Sequence, residues 1–212
     1  NSNLSPEVRA KDLLSKMTLD EKLMQMNMQW KVNEFYENVK ENGGEPTAKF
    51  VPNGSSFTCP DSLETIDVLQ DYYLKKTRLG IPLLHHFEAL HGLIHPKATI
   101  FPQSAGIGGS FNRKNVRKMA EIIGRECKAL GVRQVYAPNV DISRDPRWGR
   151  TQESYGEDPY ATGELGAEYV KGVQSNSVAA TAKHYIAYGV GEGGLNIAPA
   201  HIGERAVREV ML

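Results

Sequence analysis

V132-R-Q-V-Y-A-P-N-V-D-I-S-R-D-P-R-W-G-R150 changes character halfway along its length. Val132 to Pro138 is mostly apolar, the composition of a short buried strand. The second half, R144-D-P-R-W-G-R, places three guanidinium groups and a tryptophan in one loop, more than a solvated turn needs. Past it, a helix starts near Asp158-Pro159 and runs to Gly172. The same order of strand, polar loop and helix flanks this unit on both sides. Upstream, I81-P-L-L-H-H-F is a strand candidate followed by a polar segment. Asn112 then caps a helix with an apolar stripe of Val116, Met119, Ile122, Ile123, Cys127 and Leu130, closed by Gly131. Downstream come the strand V178-A-A-T-A-K-H-Y-I, a glycine-rich loop and a helix from about Ile202.

Strand, loop and helix in repetition predict a parallel α/β fold. An open doubly wound sheet and a closed barrel both fit the repeat, and the position of the polar residues separates them. Each strand ends in groups that are costly to bury: His85, His86, Glu88 and His91; then Asp141, Arg144, Asp145, Arg147 and Arg150; then Lys183 and His184. Functional groups at the C-terminal ends of successive strands are the habit of a (β/α)8 TIM barrel, whose βα loops open onto one face. A full barrel takes about 250 residues. The expectation is therefore an incomplete barrel of the first several βα units, residues 78–212, after a helical arm and loop, residues 1–77, within a larger protein.

Composition narrows the function. The chain has 212 residues, with 25 Lys plus Arg against 25 Asp plus Glu, so its formal net charge is zero. That balance argues against nucleic acid or a membrane surface as partner, since both favour a basic excess. No apolar run approaches the roughly 18 residues needed to span a bilayer. Two cysteines, Cys59 and Cys127, give neither a disulfide framework nor a metal spacing, and Cys127 falls on a helix stripe as a small buried hydrophobe. The opening N-S-N-L-S-P has no initiator Met and reads as a processed or trimmed start; nothing in the residues assigns a compartment.

In the arm, S5-P-E-V-R and T18-L-D-E are helix starts, the second with the pattern of a capping box. The Met24, Met26 and Met28 stripe reads as core packing. Residues 37–62, rich in N-G-G-E-P and P-N-G-S-S turn signals, read as a long loop or small hairpin. A helix from Leu63 to Leu79 follows, ended by Gly80.

Several clusters carry candidate chemistry. H85-H-F-E-A-L-H-G-L-I-H holds four of the six histidines. His91 and His95 have the spacing of a helical zinc pair, but Gly92 and Pro96 oppose a helix there, so Glu88 and His91 are better read as hydrogen-bonding groups for a polyhydroxylated ligand. Lys183 beside His184 reads as a fixed cation and an imidazole at a strand end, with a Schiff-base role for Lys183 as the lesser alternative. G106-I-G-G and G189-V-G-E-G-G match no phosphate-loop pattern and read as flexible loop backbone. In R144-D-P-R-W-G-R, some arginines must pair with Asp145, Glu153, Glu157 or Asp158. One left over presents a planar fork of donors suited to sugar hydroxyls. Trp148 either packs the loop or faces a sugar.

Taken in order, R78-L-G-I-P, E88-A-L-H-G, A98-T-I-F-P-Q, R144-D-P-R-W-G-R, S154-Y-G-E-D-P, A182-K-H-Y and N196-I-A-P-A-H-I-G-E-R-A-V-R-E resemble the first, barrel domain of glycoside hydrolase family 3. The resemblance covers nearly the whole chain outside residues 37–62. It implies a retaining exo-β-glycosidase that removes terminal non-reducing β-D-glucosyl or β-D-xylosyl residues from an oligosaccharide or glycoside. Two carboxylates perform that chemistry, one as nucleophile and one as acid and then base. Carried over position by position, the resemblance makes Glu88, Arg150, Lys183 and His184 the residues that bind the terminal sugar. His91 and Trp148 are secondary candidates. No cofactor and no metal ion are expected.

Two departures qualify it. The family's nucleophile is an aspartate in an S-D-[WY]-like motif, and no S-D dipeptide occurs in these residues. Its acid/base usually comes from a following domain. The expectation is that residues 1–212 alone are inactive, with the remaining barrel strands and a second domain of the same chain as partners. A non-catalytic carbohydrate-binding or scaffold fragment is the alternative. Further, Glu88 stands where many β-glucosidases of the family have aspartate, and the longer side chain resembles members acting on xylosides.

Overall fold

The computed structural model describes residues 3–30, 32–44, 46–47, 53–57 and 63–212; Cys59 and much of the 37–62 segment lie outside it. The chain divides into two compact units, Asn1–His85 and His86–Leu212.

In the first unit, α1 (Pro6–Lys16) starts where Ser5 Oγ accepts the Val8 amide, and α2 (Leu19–Gln25) starts with the full Thr18/Glu21 capping box. The arm's apolar stripe does not become core. Val8, Leu14 and Leu23 are about half exposed and Met26 is almost fully exposed, so core packing of the methionines is corrected for Met26. Strand β1 (Met28–Gln29) pairs in parallel with β2 (Ser55–Phe57), Met28 opposite Ser55. Between them, α3 (Val32–Glu41) replaces the first part of the expected loop. Its Val32, Phe35, Tyr36 and Val39 occupy one face, one helical turn apart. They meet Leu69, Tyr72 and Tyr73 of α4 (Leu63–Lys75), together with Leu83. Helix α4 stops at Lys75, before the expected Leu79.

Strand β3 (Leu84–Phe87) carries the chain into the second unit. There β3, β4 (Gln134–Val135) and β5 (Ala179–Ala180) run parallel, with His86 opposite Gln134 and Gln134 opposite Ala179. Each is followed by a helix, the α/β pattern expected. The glycines of G106-I-G-G are not loop: they lie in the short helix α5 (Ser104–Gly108) and the residue after it. A Cβ on Gly108 would fall 2.0 Å from the Tyr155 carbonyl oxygen, so close packing excludes a side chain there.

Helix α6 (Arg113–Ala129), capped by Asn112, packs Val116, Met119, Ala120, Ile123 and Cys127 toward α7 (Pro159–Gln174), capped by Asp158. Leu165, Tyr169 and Val173 are the large buried side chains of α7. Buried at this depth, each large apolar side chain contributes about 1.5–3 kcal/mol. Tyr169 donates its hydroxyl to the Ala89 carbonyl, tying α7 to the residue next to Glu88. The expected terminal helix begins at Glu204 as α8 (Glu204–Ala206) and continues as a π turn, Val207–Met211.

Candidate functional site

Past the ladder of β3, β4 and β5 the backbones stay in register for a few residues. Tyr136 donates its amide to Phe87 O (3.0 Å), Lys183 to Pro138 O (3.0 Å), and Val140 to Lys183 O (2.7 Å). These bonds bring Glu88, Asp141, Lys183 and His184 to one end of the three strands. The R144-D-P-R-W-G-R loop and a 3-10 turn at Thr151–Glu153 add Arg150 and Glu153.

The side chains there are paired. Lys183 Nζ donates to both oxygens of Glu88, at 3.0 and 2.9 Å, and sits 5.9 Å from the Tyr136 ring centre. Burial, then the Glu88 charge, raises the Tyr136 phenol above its ordinary value. Arg150 grips Glu153 with two bonds, Nε to Oε1 at 2.9 Å and Nη2 to Oε2 at 2.6 Å. Paired forks of this kind are among the stronger polar contacts. The bond to Glu153 raises Arg150 further above its usual range, against the opposing effect of burial. For Glu153, burial pushes the carboxyl up, but the bond and charge of Arg150 and the charge of Lys183 outweigh it and hold it below the usual carboxylate value.

His184 links the Arg150–Glu153 pair to Asp141. Its Nδ1 lies 2.6 Å from Asp141 Oδ2, and its Nε2 lies 3.4 Å from Arg150 Nη1. The Tyr188 ring packs against His184, with centroids 4.4 Å apart, and the Arg150 guanidinium lies 5.5 Å from that same ring. Beside them Glu88, Leu90, His91, Gly92, Ile94, Arg150 and Glu153 line a cavity of about 200 Å³. His91 holds its place there by directing Nδ1 at Phe101 O, 3.1 Å away.

Trp148 is 2% exposed. Its indole nitrogen donates to Asn196 Oδ1 at 3.3 Å, and its ring meets Tyr188 edge to face at 5.7 Å. Of the two roles open for it, the structure gives it the packing one, behind Tyr188. The other arginines of the loop stay outside: Arg144 is exposed, and Arg147 forks onto Asp145 with 69% of its side chain in solvent. Arg150 is not an arginine left over from pairing. Two of its three nitrogens serve Glu153, and Nη1 faces His184. His91 and His95 share no helix face, and His95 is buried, accepting the Lys97 amide. Among the described residues no group of three His, Cys, Asp or Glu is arranged to hold a metal ion.

Sequence reasoning singled out neither Tyr188 nor the link from Asp141 to His184. The apolar run before Asp141 was a usable signal: an acid directly after a buried strand needs a partner.

Against known proteins, the family model described as "Glycosyl hydrolase family 3 N terminal domain" matches residues 18–212. A periplasmic beta-glucosidase of Salmonella typhimurium is 36% identical over 205 residues, which is 92% of this chain and 25% of that protein. A beta-xylosidase of Formosa agariphila is 39% identical over 149 residues, 64% of this chain and 21% of that protein. The crystal structure of a beta-glucosidase from Listeria innocua in complex with isofagomine superposes with a TM-score of 0.84 at 34% identity, covering 99% of this chain and 30% of that one. The chain thus spans about a quarter of the length of these curated relatives.

Proposed function

Since this chain belongs to glycosyl hydrolase family 3, whose N-terminal domain is of TIM-barrel type, we propose that it forms the terminal-sugar pocket of a retaining exo-β-glycosidase acting on β-D-glucosyl or β-D-xylosyl residues. One observation carries this reading: Glu88, Lys183, His184, Arg150 and Glu153 converge at one strand end with donors and acceptors alternating. A sugar hydroxyl is both donor and acceptor, and such an alternating wall can satisfy it on both sides.

The pocket's own carboxylates are poor candidates for the attacking group. Glu88 gives both oxygens to Lys183, Glu153 is gripped by Arg150, and the Asp141 side chain is 2% exposed. This supports a division of labour in which these residues bind and orient the sugar, while the nucleophile and the acid/base come from elsewhere. Lys183, bonded to both oxygens of Glu88, suits a donor rather than a Schiff-base amine. Turnover of aryl β-glycosides by the protein expressed from its complete gene, set beside residues 1–212 alone, tests the proposal. We expect cleavage with retained anomeric configuration by the first and none by the second. No cleavage by the first leaves the non-catalytic carbohydrate-binding reading, which the lack of an unpaired carboxylate in this cluster also favours.

The identity of the sugar rests on Glu88. Its extra methylene relative to aspartate extends the carboxylate toward the place of a glucose C6 hydroxymethyl group, which xylose lacks. Steric discrimination of this size amounts to about 1–3 kcal/mol. Glu88→Asp should therefore shift the ratio of kcat/KM values toward the glucoside, and an unchanged ratio would remove Glu88 from the account.

A further inference from the structure

We propose that Asp141 is a positioning residue that fixes which ring nitrogen of His184 carries the proton, and so decides the kind of hydroxyl contact the pocket makes; the second half rests on the glycosidase reading above.

Two independent contacts point to the same tautomer. On one side of the ring, Arg150 Nη1 lies 3.4 Å from His184 Nε2. A guanidinium nitrogen can only donate, so Nε2 must offer its lone pair. On the other side, Nδ1 lies 2.6 Å from Asp141 Oδ2, and a carboxylate can only accept, so Nδ1 must carry the hydrogen. The Asp141 carboxylate is shielded from water, and its second oxygen faces the His184 backbone amide at 3.4 Å. Its own backbone N–H donates to Asn139 Oδ1 at 2.8 Å, which fixes the turn that presents it. The Tyr188 ring packs against the His184 ring at a tilt of 58° and closes a third side. The imidazole therefore has a defined plane and a defined polarity, as expected where a buried acid orients a histidine.

The consequence lies where Arg150 Nη1 meets His184 Nε2, a donor facing an acceptor in a long direct contact. A sugar hydroxyl that displaces this contact accepts from the arginine and donates to the imidazole, using both of its capacities at once. Reversing the tautomer would leave two donors facing each other, and the hydroxyl would be accepted only as an acceptor.

The test has two arms. In the first, nitrogen chemical shifts of 15N-histidine-labelled protein, with His184 assigned by His184→Gln, report the tautomer without any substrate. Wild type should show a protonated Nδ1 and a bare Nε2 at neutral pH. Asp141→Asn, with its carbonyl oxygen kept on the His184 backbone amide, turns its NH2 to Nδ1 and should move the proton to Nε2. In the second arm, kcat/KM is measured for an aryl β-glycoside and for its deoxy and deoxyfluoro analogues at each ring position. Fluorine accepts weakly but cannot donate. At the position that meets His184, wild type should lose as much with fluorine as with hydrogen. Asp141→Asn should lose about tenfold or more on the parent glycoside, the scale of one hydrogen bond in a desolvated site, while tolerating fluorine better than hydrogen there. A general loss of fold would lower all substrates together and would not invert that order. A wild-type ring protonated at Nε2, or at both nitrogens, overturns the proposal without any variant. So does an Asp141→Asn protein that keeps the Nδ1 proton and the wild-type analogue order. If wild type cleaves no glycoside, the glycosidase reading fails, while the nitrogen shifts still decide for or against Asp141.

Discussion

Replacing Trp148 with alanine separates a brace from a ligand contact. The indole is 2% exposed and lies edge to face with Tyr188 at 5.7 Å. Its ring carbons would stand only 3.3 and 3.4 Å from a Cβ built on Gly189, so the backbone is already seated against it. Truncating a side chain of this kind costs the transfer free energy of the lost atoms and leaves a cavity, together about 3–5 kcal/mol. Domains are stable by about 5–15 kcal/mol, so this is about a fifth of the total or more. With a urea m-value of about 2 kcal/mol/M, the midpoint should fall by about 1.5–2.5 M. Far-UV circular dichroism is the appropriate signal, because the change removes one of the two tryptophans and leaves Trp30, which is 70% exposed and a weak reporter of burial. Saccharide affinity, measured where the variant is still folded, should fall less steeply than stability. A Trp148→Ala protein that unfolds at the wild-type midpoint yet binds no sugar would refute the brace and return the indole to the pocket.

Three further outcomes follow from the same contacts. Arg147→Ala should leave the urea midpoint unchanged within scatter, because its pair with Asp145 is in solvent, where such pairs contribute little that can be measured. Gly172→Ala should destabilise: the new methyl would lie 2.4 Å from Ala120 Cβ and 2.8 Å from Arg117 O, and overpacking of about 1–3 kcal/mol exceeds the roughly 1 kcal/mol of helix propensity gained; a raised melting temperature would contradict this. Glu153→Gln should flatten the acid limb of stability against pH. The folded-state carboxyl is held low, so the unfolded chain binds its proton first; the wild-type contribution is complete above the unfolded value of about 4.3 and is lost as pH falls through the lower folded value. Identical acid limbs in the two proteins would show that the Arg150 pairing does not hold the carboxyl down.

The second unit was the more legible because its signals are local. Asn112 and Asp158 cap the helices they precede, and the Val116–Cys127 stripe is the buried face of α6. In the first unit, Val32, Phe35, Tyr36 and Val39 keep helical spacing, yet the turn residues from Asn42 onward masked α3. Gly106 and Gly108 were misread because the reason for Gly108 is a carbonyl of Tyr155, distant in sequence. The site divides in the same way. Residue types at strand ends marked Glu88, Arg150, Lys183 and His184, but their pairings join positions 95, 43 and 34 residues apart, which no local pattern encodes. Trp148 shows the limit most clearly, since one indole beside three arginines is compatible with packing and with stacking until its burial is known.

The pairing of Glu88 with Lys183 and of Arg150 with Glu153 has a kinetic consequence. Each fixed cation of the cluster carries its counter-charge within 3 Å, so little field projects beyond the mouth of the pocket. Encounter with a neutral saccharide then proceeds without electrostatic steering, and the association rate should hardly change between low and high ionic strength. The same cancellation gives a uronate or a sugar phosphate no open cation to reach for, because binding one would require Lys183 or Arg150 to leave a carboxylate already in place. The pairing of both cations is thus a filter, admitting molecules that present hydroxyls and turning away those that need an open cation.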